Sequence, residues 1–338
     1  MPAAALPERP VLVAPDSFKG TLRASQVAGA IGRGLERAGL MPPDLCPVAD
    51  GGDGTTDALL PALGGETAAA RVHDPLGRGI DAGFALLEDG GTALVEMAAA
   101  SGLSLVAEAE RDAEAASTYG TGELIASAVE AGAQVVLVAV GGSATTDGGE
   151  GALRAIEERG GLRSARLVVL CDVTVPFERA AEVFGPQKGA DPAAVERLTA
   201  RLDALAERFP RDPRGVPMTG GAGGLSGGLW AALGATLEPG ASWVLDALDF
   251  DARMRAARAV ITGEGKLDTQ TLEGKIVGEI GRRTRQAGVP LHAIVGTDAL
   301  DAFGKRMIDL QRVLTATTLE ELEAAGEQLG TELREGLA

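Results

Sequence analysis

The sequence predicts an α/β protein of two domains, a parallel-sheet domain interrupted by an inserted domain with a mixed sheet. Three observations point there. Short apolar runs alternate with helical stretches at both ends of the chain, the βαβ rhythm of a parallel sheet. Between residues 66 and 97 that rhythm gives way to short strands joined by Pro/Gly turns too tight for crossovers, as in an antiparallel meander. Aromatic residues make up only 3% of a chain that is 45% apolar, so the core must be built from Val, Leu, Ile and Ala, which suits layered sheets and helices. At 338 residues the chain also exceeds what one core ordinarily holds.

Val11-Leu12-Val13-Ala14-Pro15 reads as a buried strand running into Asp16, Ser17, Phe18, Lys19 and Gly20. A helix follows over residues 25–38, then a strand over 45–49 that ends in Asp50-Gly51-Gly52-Asp53-Gly54-Thr55, then a helix over 56–63. The meander comprises 67–72, 81–87 and 92–97, punctuated by Pro75, Gly77, Gly79, Gly90 and Gly91. Helical patterning returns over 120–132, and 134–140 is an apolar strand that opens into the Gly-rich run 141–149. Another strand over 167–173 reaches Asp172; these two strands fit either sheet. Leu198, Leu202, Leu205 and Phe209 share one helical face and are read as core. Residues 219–228 are almost wholly Gly, Ala and Ser. The βα rhythm resumes with a strand over 259–262, a polar loop over 263–274, a helix over 276–287 and strands over 291–296 and 312–315. Thr318-Leu319-Glu320-Glu321 is a capping-box pattern opening a C-terminal helix with Leu319, Leu322, Leu329 and Leu333 on its apolar face. The first domain is therefore expected to be Rossmann-like and built from 1–66 and 255–338, with the inserted α/β domain over 67–254.

A net charge of −17 argues against nucleic acid or an anionic membrane as partner, since both demand a basic surface. It leaves room for small phosphates, which need only local amides and one or two cations. Cys46 and Cys171 sit in apolar runs and are expected to be buried thiols. Residues 1–10 lack the apolar segment of a secretory leader, and no apolar run reaches the roughly 18 residues of a membrane span. A cytoplasmic protein is the simplest expectation, as monomer or homodimer.

Five loops follow strands and combine glycine with acids or hydroxyls: 16–20, 50–55, 141–149, 172–174 and 263–275. Glycine lets backbone amides approach a ligand together, and a helix start just beyond favours an anion. Phosphoryl transfer needs such amides, a cation, carboxylates for Mg²⁺ and a base for the acceptor hydroxyl. The candidate cations are Lys19, Lys188, Lys266 and Lys275; the candidate acids are Asp16, Asp50, Asp53, Asp147, Asp172, Glu264 and Asp268. Thr55 and Thr145 add hydroxyls. No Walker A motif is present: Gly274-Lys275 would need glycine where Thr269 stands, and Ile276 replaces the hydroxyl residue. No GxGxxG occurs. Only His73 and His292 are available, so a histidine metal site is not expected, and His292 reads as a core residue. Gly224-Leu225-Ser226-Gly227-Gly228 satisfies GxSxG, but no strand precedes it to make a nucleophile elbow.

Taken together the loops resemble the type I glycerate kinase family. The resemblance rests on Ala14-Pro15-Asp16-Ser17-Phe18-Lys19-Gly20, the run 47–55, Asp74-Pro75-Leu76-Gly77-Arg78, the run 96–103 and Tyr119-Gly120-Thr121-Gly122-Glu123. It continues through 141–149, Phe184-Gly185-Pro186-Gln187-Lys188-Gly189-Ala190, and Thr262-Gly263-Glu264-Gly265-Lys266-Leu267-Asp268 with Gln270-Thr271. It implies phosphorylation of D-glycerate, mostly at the 2-hydroxyl, with ATP and Mg²⁺, in a cleft between two α/β domains. Asp53, Thr146 and Ile276-Val277 depart from the family pattern, where Glu, Asn and Thr-Pro are expected. On chemical grounds Lys19, Asp50, Asp172 and Asp268 are the expected catalytic groups, with Asp50 and Asp172 toward Mg²⁺. Asp16, Ser17, Gly51, Gly52, Asp53, Thr55, Gly141, Gly142, Ser143, Lys188, Glu264 and Lys275 are expected to bind substrate or phosphate. A kinase for another small hydroxy acid, or a non-catalytic anion-binding protein of this fold, are the alternatives.

Overall fold

The computed structural model describes residues 9–18 and 20–336. Its strands in chain order are β1 (Val11–Pro15), β2 (Asp44–Leu45), β3 (Gly65–His73), β4 (Gly79–Leu87), β5 (Thr92–Glu96), β6 (Val135–Ala139), β7 (Arg166–Leu170), β8 (Thr236–Glu238), β9 (Ala259–Gly263), β10 (Lys266–Leu267), β11 (Leu291–Val295), β12 (Thr297–Asp298) and β13 (Leu310–Thr315). The chain folds as two compact units, one formed by residues up to Ala49 and from Val244 onward, the other by Asp50–Trp243. The sequence reading drew these lines later, at 66/67 and 254/255. The helix Thr55–Leu63 groups with the second unit because it packs on β3, β4 and β5.

In the first unit the sheet order is β13-β11-β9-β1-β2, all parallel. Strands β1, β9 and β11 are buried along their whole length, as their unbroken apolar runs require of a sheet covered on both faces. On one face Val11, Val13, Ile261 and Ile294 pack with Ile31, Leu35, Leu322 and Leu329. The last four come from the helices Ala24–Arg37 and Leu319–Glu335, which approach so closely that a Cβ on Gly34 would lie 2.1 Å from Glu323 O. The capping box is present: Glu321 N–H donates to Thr318 Oγ1 at 3.2 Å and Thr318 N–H to Glu321 Oε2 at 3.3 Å. Leu319, expected on the buried face, is instead exposed at the first helical position. Strand β2 is shorter than expected because Pro47 has no N–H to give; Cys46 and Val48 on either side still donate to Val13 O and Pro15 O, at 2.8 and 3.0 Å.

The second unit carries a six-stranded sheet, β3-β4-β5-β6-β7-β8. The expected meander β3-β4-β5 is antiparallel, and β5 through β8 run parallel. Both strands of open assignment, β6 and β7, belong here. Met97, Leu124, Ile125, Val136, Val138, Leu167 and Val169 lie in its core. Leu198, Leu202 and Leu205, on the helix Pro192–Ala206, form a separate cluster with Phe177, and Phe209 packs against it from beyond the helix end.

His292 on β11 is fully buried among apolar side chains, and neither ring nitrogen has a hydrogen-bond partner. Burial pushes its pKa down to about 4. In the unfolded chain the imidazole takes a proton near pH 6.5, so between the two values the unfolded state binds more protons and stability falls as pH is lowered. Across that window the wild type should lose up to about 3 kcal/mol relative to His292→Leu. Urea unfolding at pH 7.5 and 4.5 measures this; equal pH dependence in the two proteins would mean that His292 charges freely in the fold.

Candidate active site

In the first unit β2 lies on one side of β1 and β9 on the other, so the order of the parallel sheet reverses between β1 and β9. Ligands of open α/β sheets bind beyond the carboxyl ends of the strands at such a reversal. The two residues leaving those ends are both acidic. Asp16 follows β1, with its N–H donating to Gly263 O at 2.8 Å, and its carboxylate accepts the Ser17 N–H at 2.6 Å. Glu264 follows β9 and accepts the Thr271 hydroxyl at 2.6 Å. Both are buried. Asp268 N–H donates to the same Thr271 hydroxyl, and its carboxylate accepts the Gln270 N–H and pairs with Lys266 at 3.1 Å. Burial raises the Asp268 pKa, but Lys266, the Gln270 N–H and Lys275 outweigh it, and the carboxyl is held below its usual value. Asp16, Ser17, Glu264, Asp268 and Lys275 therefore belong to one unit, with Glu264 and Asp268 joined through Thr271. Lys19 lies outside the described residues.

The second unit gathers its polar groups along another strand-end edge. The loop 50–55 meets residues at or beyond the ends of four neighbouring parallel strands. Glu96, closing β5, accepts the Thr56 N–H at 2.6 Å and the Gly54 N–H at 3.3 Å. Beyond β6, a Cβ on Gly141 would lie 2.6 Å from Gly52 Cα. A Cβ on Gly51 would lie 3.1 Å from Leu170 Cβ on β7 and 2.7 Å from Gly240 Cα, just past β8. Within the loop, Asp50 accepts the Gly52 N–H at 3.1 Å and the Thr55 hydroxyl donates to Gly52 O at 2.7 Å. Asp172, beyond β7, accepts the Ala241 N–H on both oxygens at the start of the helix Gly240–Ala247. Asp53 is exposed.

These contacts revise what the glycines do. Gly51 and Gly52 were expected to offer amides to phosphate, yet the Gly52 amide is engaged by Asp50, and both residues stand where any side chain would collide with a neighbouring loop. Gly141, Gly142 and Ser143 differ. Among the described residues their N–H groups donate to no carbonyl, while Gly142 O accepts the Leu103 N–H. Gly142 is exposed, and Gly141 and Ser143 are half-buried, at the end of β6. Successive backbone N–H groups in such a turn can form a concavity for an anion.

Lys188 is 1% exposed, and its ammonium turns inward to donate to Thr145 O at 2.5 Å. Burial pushes its pKa down to about 7, against the opposing charge of Asp147. Asp147 accepts the Thr118 N–H and hydroxyl and the N–H groups of Gly149 and Gly151, so it holds two helix starts together. The Thr145 and Thr146 hydroxyls are buried without partners. Lys188, expected from the sequence to bind substrate or phosphate, thus turns its ammonium to a backbone carbonyl.

No three acidic, Cys or His side chains gather as a metal cage among the described residues. Mg²⁺ in phosphate sites takes only one or two carboxylates with substrate oxygens and water, which the donor set of Asp50 and Asp172 fits. Both carboxylates act on the buried Cys171 thiol, whose pKa burial drives up to about 12 with their charges adding. Glu96 was missed by sequence reasoning, although an acid at the end of an apolar run was the same signal that marked Asp50 and Asp172. Its pKa is raised by burial, against the Thr56 and Gly54 N–H groups. Ser226 is no nucleophile: its hydroxyl donates to Met218 O at 2.6 Å and Gly221 O at 3.1 Å at a helix start. The Asp74–Arg78 motif is a closed turn, with Asp74 accepting the Leu76 and Arg78 N–H groups and pairing with the Arg78 guanidinium.

Fold and site together define an open-sheet α/β protein with acids and free amides collected at strand ends, a class suited to anionic ligands. The sequence profile of the Glycerate kinase family matches residues 11–161 and 157–336. The chain is 38% identical over 325 residues to a glycerate kinase of Halalkalibacterium halodurans, covering 85% of each, and 37% identical over 354 residues to the glycerate 2-kinase of Escherichia coli, covering 92% of each. A solved structure of a candidate glycerate kinase 2 from Salmonella typhimurium superposes with a TM-score of 0.82 at 32% identity, over 97% of this chain and 99% of the other. The chain belongs to the glycerate kinase family. Among the described residues no helix is long and apolar enough to cross a membrane.

Two outcomes follow from the geometry. Gly141→Ala drives a methyl into Gly52 and should destabilise the protein by about 1–3 kcal/mol, whereas Gly91→Ala, with open space around it, should stay within about 1 kcal/mol; denaturant titration separates the two. For Lys188, the fold releases the proton near pH 7 and the unfolded chain near 10.5, so the unfolded state binds more protons between them and stability rises with pH there. Lys188→Met should abolish that rise, worth up to about 4 kcal/mol, in unfolding midpoints taken from pH 7 to 9.5. An unchanged slope would show that the lysine stays charged inside the fold.

Proposed function

We propose that the protein phosphorylates D-glycerate at its 2-hydroxyl with ATP as donor. The observation that carries this reading is the family match across residues 11–336, joined by acids and unengaged amides at the carboxyl ends of parallel strands. Mg²⁺, held by Asp50 and Asp172, would neutralise charge on the donor phosphates. The Gly141, Gly142 and Ser143 amides would receive phosphate oxygens. Asp268, kept ionised by its neighbours, can accept the hydroxyl proton, and Lys19 and Lys275 would supply cations to the phosphates or the substrate carboxylate. Dependence on ATP fits a cytoplasmic enzyme.

Purified protein given D-glycerate, ATP and Mg²⁺ should release ADP, and enolase added directly should consume the product without a mutase. A requirement for the mutase would reassign the phosphate to the 3-hydroxyl. Folded protein that turns over no hydroxy acid in a panel would overturn the kinase reading.

A further inference from the structure

The helix Thr55–Leu63 lacks a cap of its own. Its N-cap residue, Gly54, is left-handed at φ 93° and has no side chain to offer the exposed N–H groups. The cap arrives from 40 residues further along the chain, as Glu96 Oε1 accepts from Thr56 N–H at 2.6 Å and Oε2 from Gly54 N–H at 3.3 Å. A carboxylate there also opposes the positive end of the helix dipole. Because both oxygens face backbone amides, those donors are engaged by Glu96.

Glu96 stands opposite Ala139 in the parallel pairing of β5 with β6, and Gly141 lies two residues beyond Ala139. One rung of the sheet therefore links the carboxylate that grips the loop 50–55 to the loop whose amides are free. We propose that Glu96 is a positioning residue for phosphoryl transfer: its carboxylate fixes the Asp50–Thr55 loop against the strand end that carries the Gly141–Gly142–Ser143 amides. Asp50 and Asp53 keep their placement through this contact. The inference rests on the kinase reading.

The test uses the full chain with D-glycerate, ATP and Mg²⁺. For Glu96→Ala, kcat should fall about a hundredfold, as expected for a misplaced reacting group, with KM for both substrates held within about threefold. Formate should restore part of that kcat by refilling the cap and leave the wild type unaffected. Glu96→Gln keeps one acceptor and should be intermediate; it carries the test if Glu96→Ala does not fold. A folded variant with wild-type kcat, a loss confined to thermal stability, or a KM rise above tenfold with kcat unchanged would each overturn the proposal. A wild type without turnover overturns the kinase reading and the inference with it; an active wild type matched by Glu96→Ala overturns the inference alone.

Discussion

A peptide loop can lie against the ends of parallel strands only where no Cβ intervenes. That steric constraint governs the second unit. Gly51, Gly52, Gly141 and Gly240 let backbone meet backbone at separations a methyl group would forbid. The close approach bears on where Asp50 and Asp172 stand, since Asp50 precedes Gly51 and accepts the Gly52 N–H, and Asp172 accepts the N–H of Ala241, the residue after Gly240. Further glycines serve the same purpose away from the site. A Cβ on Gly228 would lie 2.2 Å from Gly148 O, and one on Gly223 would lie 2.0 Å from Thr145 O. The Gly-rich segment 219–228 is thus a packing surface for the loop that carries Lys188's carbonyl partner.

The acids share a second regularity. Asp50, Glu96, Asp147, Asp172 and Asp268 each accept a backbone N–H at the start of a helix or a turn. Such bonds fix the carboxylate's direction. A carboxylate anchored through one contact is held in place for another, which is how a site achieves orientation before its ligand arrives. Asp147 shows the limit: four donors converge on it, and its role is to join Thr118 to the helix that begins at Glu150.

What the sequence displays openly is local. Apolar runs marked β1, β6, β9 and β11, turn residues marked the meander, and Thr318 with Glu321 marked a helix start. What it hides depends on partners distant in the chain. Nothing near Gly54 announces that Glu96 caps it, and nothing near Lys188 announces that its ammonium turns toward Thr145. Glycines in a strand-end loop look alike whether their amides await an anion or their missing Cβ admits another loop. Gly52 and Gly142 separate only when their neighbours are known. The family resemblance drew attention to these loops, and the hydrogen bonds divide their residues among different duties.

The pairing of β1 with β9 joins Val11 to Ala259 and Pro15 to Gly263. During synthesis the first strand emerges with one eventual neighbour, β2, close behind, and must wait for most of the chain before the other appears. The second unit is continuous in sequence and can complete its own sheet in the meantime, whereas the first closes around contacts of long sequence separation, the slow kind. An apolar strand is thus left without one flank while the ribosome works, and the acidic character of the chain, through mutual repulsion, opposes association between nascent copies during that interval.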